Sequence, residues 1–269
     1  MRTIAFLVLY LFLSDNLNLS EIKFQGWESL YNRHIIYGGP ANEQPLFKPQ
    51  IPILCYHNIH ELHKNNNPFL TVSDSVFNLQ LKSLFDSGYH TISPDQLCQY
   101  LTKNITLASK SFLISFDDSH AEDYSIAEPV MNRYGFKGVF FVTTGYLDKS
   151  DHLSTKEVKE LSDAGNVIAA HTWDHPNLRS SKNIDWRKQL YFPKEQLQTI
   201  TGKPIDYFAY PYGSWNHKVI DSVKHYGYTA AFQLNGKLSN KNPLYTIRRI
   251  TVSNKWSSSK LQLMMKLKF

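Results

Sequence analysis

Two adjacent carboxylates, Asp117 and Asp118, directly follow the apolar run Phe112-Leu113-Ile114-Ser115-Phe116. On an extended chain neighbouring side chains point to opposite sides, so one carboxylate can face a metal while the other faces a reacting water. A strand-terminating turn with solvated acids has the same sequence signature. Further along, His171-Thr172-Trp173-Asp174-His175 sets two imidazoles four residues apart. A helix would put both rings on one face, but Pro176 disfavours helical geometry at His175, so a strand end running into a tight loop is the better reading. Two histidines and one aspartate make a three-ligand set that leaves positions for water and substrate, the arrangement a catalytic zinc needs. Tyr210-Pro211-Tyr212-Gly213 is either a plain turn or one that presents a backbone N–H to a developing oxyanion.

These residues need a frame that brings them together. From Ile51 onward short apolar runs alternate with helix-like stretches. Strands are expected at 51–55, 112–116, 138–142, 166–170, 207–210, 228–234 and 245–252. Helices are expected at 75–87, 93–101, 124–134, 154–164, 186–201 and 216–226, with Ser154 and Glu157 as a capping box and a kink near Pro193. Alternation of strand and helix implies an α/β fold with parallel pairing through right-handed crossovers. His57, Asp117, Asp118, His171 and the Pro211-Tyr212-Gly213 corner all fall at the carboxyl ends of expected strands. Barrels of this construction build their sites on that face.

A chain of 269 residues, 42% hydrophobic and 19% charged, can bury one sizeable core. Its net charge of +6 permits an anionic polymer or a membrane surface as a partner. With no dense Lys/Arg stripe and no zinc-finger spacing, nucleic acid is not expected. Met1-Arg2-Thr3 and the apolar run 4–13 fit a secretory signal or, since the cleavage site is poorly formed, an uncleaved N-terminal membrane anchor. The expectation is a secreted or periplasmic monomer. It divides into a signal or anchor at 1–20, a lead-in at 21–50, a main domain at 51–253 and a basic tail at 254–269. Cys55 and Cys98 either form one disulfide or remain separate buried thiols.

Taken in order, Ser115-Phe116-Asp117-Asp118, His171-x-x-x-His175 and Phe208-Ala209-Tyr210-Pro211-Tyr212-Gly213 resemble the motifs of the polysaccharide deacetylase family, carbohydrate esterase family 4. The similarity covers about residues 51–252. It implies a distorted (β/α) barrel of the polysaccharide deacetylase type, binding one divalent metal, usually zinc. Asp118, His171 and His175 would be the ligands, Asp117 the general base, and the Tyr212 amide a donor to the oxyanion. The Ala-Tyr-Pro-Tyr-Gly variant is most similar to the branch acting on poly-N-acetylglucosamine. The implied reaction is metal-dependent hydrolysis of N-acetyl groups from a polysaccharide substrate. An O-acetyl esterase on xylan or peptidoglycan and a catalytically weak carbohydrate-binding relative are the alternatives.

Three positions depart from the family's pattern. Ser119 stands where glycine is usual. Ala209 stands where many members carry an arginine that orients the catalytic aspartate. The late Leu-x-His that supplies the general acid is missing, and its region reads Ile250-Thr251-Val252-Ser253. Side chains alternate along the last expected strand, so only one of Arg248 and Arg249 can point inward. Because the Arg-Ile pattern at the end of this strand also recurs in the resembling branch, Arg249 is expected to pair with Asp117 in place of the lost arginine, leaving Arg248 solvated. His57, closing the first strand, is the candidate to protonate the departing amine.

Overall fold

The computed structural model describes residues 49–269 apart from 61–66, 68 and 104. The expected signal or anchor and the lead-in up to residue 48 lie outside the described residues. The strands are β1 (Ile53–Tyr56), β2 (Asn58–Ile59), β3 (Thr71–Val72), β4 (His90–Thr91) and β5 (Ser111–Asp117), then β6 (Val139–Val142), β7 (Val167–Ala170), β8 (Tyr207–Ala209), β9 (Ala230–Phe232) and β10 (Ile250–Thr251). The helices are α1 (Asp74–Asp86), α2 (Pro94–Thr102), α3 (Glu128–Arg133), α4 (Thr155–Asp163), α5 (Phe192–Thr201), α6 (His217–His225) and α7 (Ser258–Lys268).

The main sheet runs β10-β1-β5-β6-β7-β8-β9, all parallel, with β4 also beside β5. Ile247 bridges Phe232 of β9, while β10 pairs with β1. The segment 247–251 therefore bonds to both edges and curls the sheet into the distorted (β/α) barrel. Both faces of the strands are buried, and alternation divides their side chains. Leu54, Ile114, Phe116, Phe140 and Phe208 pack with the helices, whereas Ile53, Leu113, Phe141, Ala209 and Phe232 pack together in a second cluster. Cys55, Ser115 and Asp117 share the alternation of this second set, which carries polar groups up toward the carboxyl ends.

The expected elements shift in ways that local chemistry explains. The last strand shrinks from 245–252 to β10, because Pro243–Tyr245 forms a 3₁₀ turn and the chain changes partner between Ile247 and Ile250. Wide π turns at Asp123–Ala127 and Arg187–Tyr191 lead into α3 and α5, just before Pro129 and Pro193. A proline lacks the N–H and crowds the carbonyl four residues back, so the turn ahead of it widens. The capping box of Ser154 and Glu157 opens α4. Residues 254–269, expected as a tail, contain α7. Its Leu261 and Met265 are buried in the core, and its Ser258 and Gln262 side chains donate to α1 carbonyls. Both cysteines are free thiols. Among the described residues no helix is long and apolar enough to cross a membrane.

Candidate active site

Asp117 ends β5 and is buried. Arg249, just before β10, meets it with two parallel hydrogen bonds: Nη1 to Oδ1 at 2.6 Å and Nη2 to Oδ2 at 2.8 Å. Two further guanidinium donors reach the Ser115 hydroxyl at 3.1 Å and the Gln233 carbonyl at 3.2 Å. The Phe141 ring covers one face, its centroid 4.8 Å away. A fully buried arginine is costly unless its donors are met, and here four of its five are. Burial alone would push the Asp117 carboxyl up, but the Arg249 guanidinium holds it below the usual carboxylate range. Cys55 Sγ donates to Asp117 Oδ2 at 3.5 Å, and burial pushes that thiol up, so it acts as a neutral donor. Arg248 is not solvated as expected. It is half-buried, with Nη1 donating to Gln50 and the guanidinium 5.8 Å from the Phe269 ring centroid, because the chain end after α7 returns over this surface.

Beside this pair, Asp118 Oδ1 lies 3.5 Å from His171 Nε2 and 3.3 Å from His175 Nε2. His171 Nδ1 lies 2.8 Å from the Ala209 carbonyl, which can only accept. The proton therefore sits on Nδ1, and Nε2 presents a lone pair. Burial pushes His171 down to about 3 and lowers His175 too, keeping both rings neutral. Burial foremost pushes the Asp118 carboxyl up to about 6. The Asp118 oxygen and the His171 lone pair are thus two acceptors aimed at one another, which a cation between them relieves. A tetrahedral ion with bonds of about 2.0–2.1 Å separates its ligands by roughly 3.3–3.4 Å. The donor set therefore fits a divalent metal. Cys55, His57 and Asp117 also gather within 4.8 Å. There the carboxylate is taken by Arg249 and the thiol is protonated, which makes that cluster a hydrogen-bonded support.

Strand alternation alone would separate the two carboxylates. Instead Asp118 and Ser119 take left-handed backbone, with φ of 75° and 63°, and the chain swings back. Asp117 Oδ2 and Asp118 Oδ1 then both face His171 Nε2, at 3.9 and 3.5 Å. Thr172, His175 and Tyr212 are left-handed as well, so five of the eight such non-glycine residues described belong to this site. Conformations of this kind persist where surrounding contacts over-determine them. The Ser119 hydroxyl accepts the Thr143 N–H at 2.7 Å, and Thr172 Oγ1 accepts the His175 N–H at 3.0 Å. Gln189 accepts from the Trp173 amide and donates to Asp174, while Gly145 N–H donates to the Trp173 carbonyl at 2.7 Å.

His57 follows β1 and brings Nε2 to 3.9 Å from Asp117 Oδ2. The Tyr212 ring, exposed on the turn after β8, stands edge-on to His175 with centroids 4.6 Å apart. Sequence reasoning misses Cys55, Gly145 and Gln189 as parts of the site. Only Cys55 carries a local signal, lying two residues before His57 and hence on the same side of the strand. Gln189 and Gly145 reach the histidine loop through tertiary packing alone.

Residues 104–231 match the polysaccharide deacetylase family. YxkH of Bacillus subtilis, assigned by its name to the polysaccharide deacetylases, is 28% identical over 211 residues, covering 78% of this chain and 74% of its own. The poly-beta-1,6-N-acetyl-D-glucosamine N-deacetylase of Staphylococcus aureus is 28% identical over 201 residues, 68% of each chain. A solved Streptococcus pyogenes deacetylase, PplD, in complex with acetate has a TM-score of 0.74 at 28% identity, covering 81% of this chain and 98% of that one. The chain is similar to the polysaccharide deacetylases in sequence and in fold. That likeness marks it as a hydrolase. Against the family's usual residues, the Ser119 hydroxyl gives its left-handed backbone a partner that glycine would not have. Ala209, in place of an arginine, holds His171 through its carbonyl, and a guanidinium reaches Asp117 from Arg249.

Proposed function

We propose that the protein removes N-acetyl groups from the N-acetylglucosamine residues of a polysaccharide, with zinc held by Asp118, His171 and His175. The observation that carries this reading is the Arg249-clamped Asp117 carboxylate, with Oδ2 3.9 Å from His171 Nε2. A fixed base stands beside a fixed three-ligand set. The choice of a β-1,6-linked polymer rests on likeness to the Staphylococcus aureus enzyme.

When bound, the ion supplies Lewis acidity toward the acetyl carbonyl and makes water more acidic. Asp117 Oδ2 accepts the proton of the attacking water, and its depressed basicity suffices for a proton already made acidic. Arg249 and the Cys55 thiol fix the carboxylate while it does so. The Tyr212 backbone N–H donates to the oxygen that gains charge as the carbonyl becomes tetrahedral. His57, whose Nε2 lies 3.9 Å from the same Asp117 oxygen, gives a proton to the departing amine. This reading places the enzyme outside the cytoplasm, where such polymers lie, in keeping with the apolar run 4–13.

The test is acetate release by the zinc-loaded full chain on β-1,6-linked N-acetylglucosamine oligomers, chitin oligomers, peptidoglycan and acetylxylan. Fastest release from the β-1,6-linked oligomers is expected. Release from acetylxylan alone would replace amide with ester hydrolysis, and release from none would overturn the reading.

A further inference from the structure

We propose that the face formed by α1 and α7 docks the enzyme on an anionic membrane surface. Leu79 (56% exposed) on α1, with Leu263 (46%) and Leu267 (68%) on α7, are three of the seven large hydrophobic side chains exposed among the described residues. Leu79 and Leu263 line one groove with Val76, Trp256 and Lys266. Leu267 lies one helical turn beyond Leu263.

The pattern of α7 shows why these leucines are in excess of what folding needs. Leu261 and Met265, four residues apart, are buried against the core. Leu263 and Leu267 form a second pair with the same spacing. At about 100° per residue this pair points roughly 200° away from the first. A helix that only packs on its own domain carries polar groups on that outer side. Here the outer pair is flanked instead by Lys260 and Lys266, three residues before and three after Leu263.

Charge identifies the occupant. Residues 254–269 hold Lys255, Lys260, Lys266 and Lys268 and no Asp or Glu. On the neighbouring helix Lys82 pairs with Asp86 at 2.6 Å, and Asp74 is the other exposed acid. The face is therefore cationic around an apolar centre. A second copy of this chain would set lysines against lysines. A soluble polyanion would engage the lysines and leave the leucines in water. An anionic leaflet takes both, with the leucines entering the headgroup boundary and the lysine stems reaching outward to lipid phosphates. The helices lie on the outer side of the barrel, so docking there leaves the carboxyl-end site open to polymer. The surface acts independently of the apolar run at 4–13.

Flotation of the full chain with vesicles tests it. The wild type should float more with phosphatidylcholine–phosphatidylglycerol vesicles than with phosphatidylcholine alone, where only the apolar run 4–13 can bind, and the difference should shrink as salt rises. Leu263→Gln/Leu267→Gln and Lys260→Gln/Lys266→Gln should each lower the bound fraction roughly tenfold, with circular dichroism and acetate release on soluble oligomers unchanged. Equal flotation on both vesicle types, or flotation that neither variant reduces, would overturn the proposal. So would a concentration-dependent dimer in sedimentation that the leucine variant abolishes, which would assign the face to a second copy.

Discussion

Asp117 has two oxygens, and the chain commits donors to both: a guanidinium fork from Arg249 and the Cys55 thiol. A lysine at 249 offers one point charge and cannot serve both oxygens, Ser115 and the Gln233 carbonyl at once. Arg249→Lys is therefore expected to lower kcat at least tenfold without loss of metal, and Asp117→Asn to lower it about 10²–10⁴-fold. Metal analysis beside kinetics checks both, and damage from Arg248→Ala with Arg249→Lys silent would contradict the pairing seen here. Ser119 offers a second expectation. Ser119→Ala strips the acceptor from the buried Thr143 N–H yet keeps a Cβ in left-handed backbone, and should cost about 1–3 kcal/mol in denaturant unfolding. Ser119→Gly loses the same acceptor but relieves the backbone, so it should cost less. Alternation leaves one of two arginines facing inward, and the Arg-Ile pattern shared with the resembling branch is what singles out Arg249. The turn at Asp118 is not, because its partners Thr143 and His171 are distant in the chain.

The loop after β7 carries two of the three candidate ligands and depends on elements that the sequence places far away. An added Cβ at Gly145 would lie 2.4 Å from the Trp173 carbonyl oxygen, a backbone atom with no room to yield. Gln189, in the π turn ahead of Pro193, holds the same loop from the other side. Gly145→Ala and Gln189→Ala should leave all three ligands in place yet weaken zinc binding by about 10–100-fold, as loss of groups that orient ligands does. Isothermal titration with zinc measures it, and wild-type affinity in both variants would show that the loop holds its shape unaided. The strands from β5 to β9 are readable to within a residue or two, because a run buried on both faces is apolar throughout. The two-residue strands β2, β3 and β4 carry no such run, and β10 is far shorter than the stretch expected at 245–252. The π turns are not, since they arise from hydrogen bonds lost ahead of a proline rather than from any apolar period.

Across the whole molecule the sheet closes through one short segment, 247–251, which bonds to β9 at Ile247, to β1 at Ile250 and to Asp117 through Arg249. Closure and positioning of the Asp117 carboxylate are thus one structural event. The candidate metal site joins the end of β5 to the loop after β7, so an ion there should hold the carboxyl ends of the barrel together. In the ion-free protein Asp118 and His171 set two acceptors against each other, and a cation bound only by the folded state stabilises it by mass action. Zinc at about 100 times its dissociation constant should add about 2.7 kcal/mol. For a domain of this size that is a rise in Tm of roughly 5–10 °C, lost on chelation. His171→Ala should fold, since a neutral side chain is removed, and should show no zinc-dependent rise. If zinc raised its Tm as much as that of the wild type, the ion would be bound elsewhere, with Cys55, His57 and Asp117 the first cluster to examine. The same shift abolished by Cys55→Ser and retained by His171→Ala would then reverse the roles given to Asp117 and Asp118.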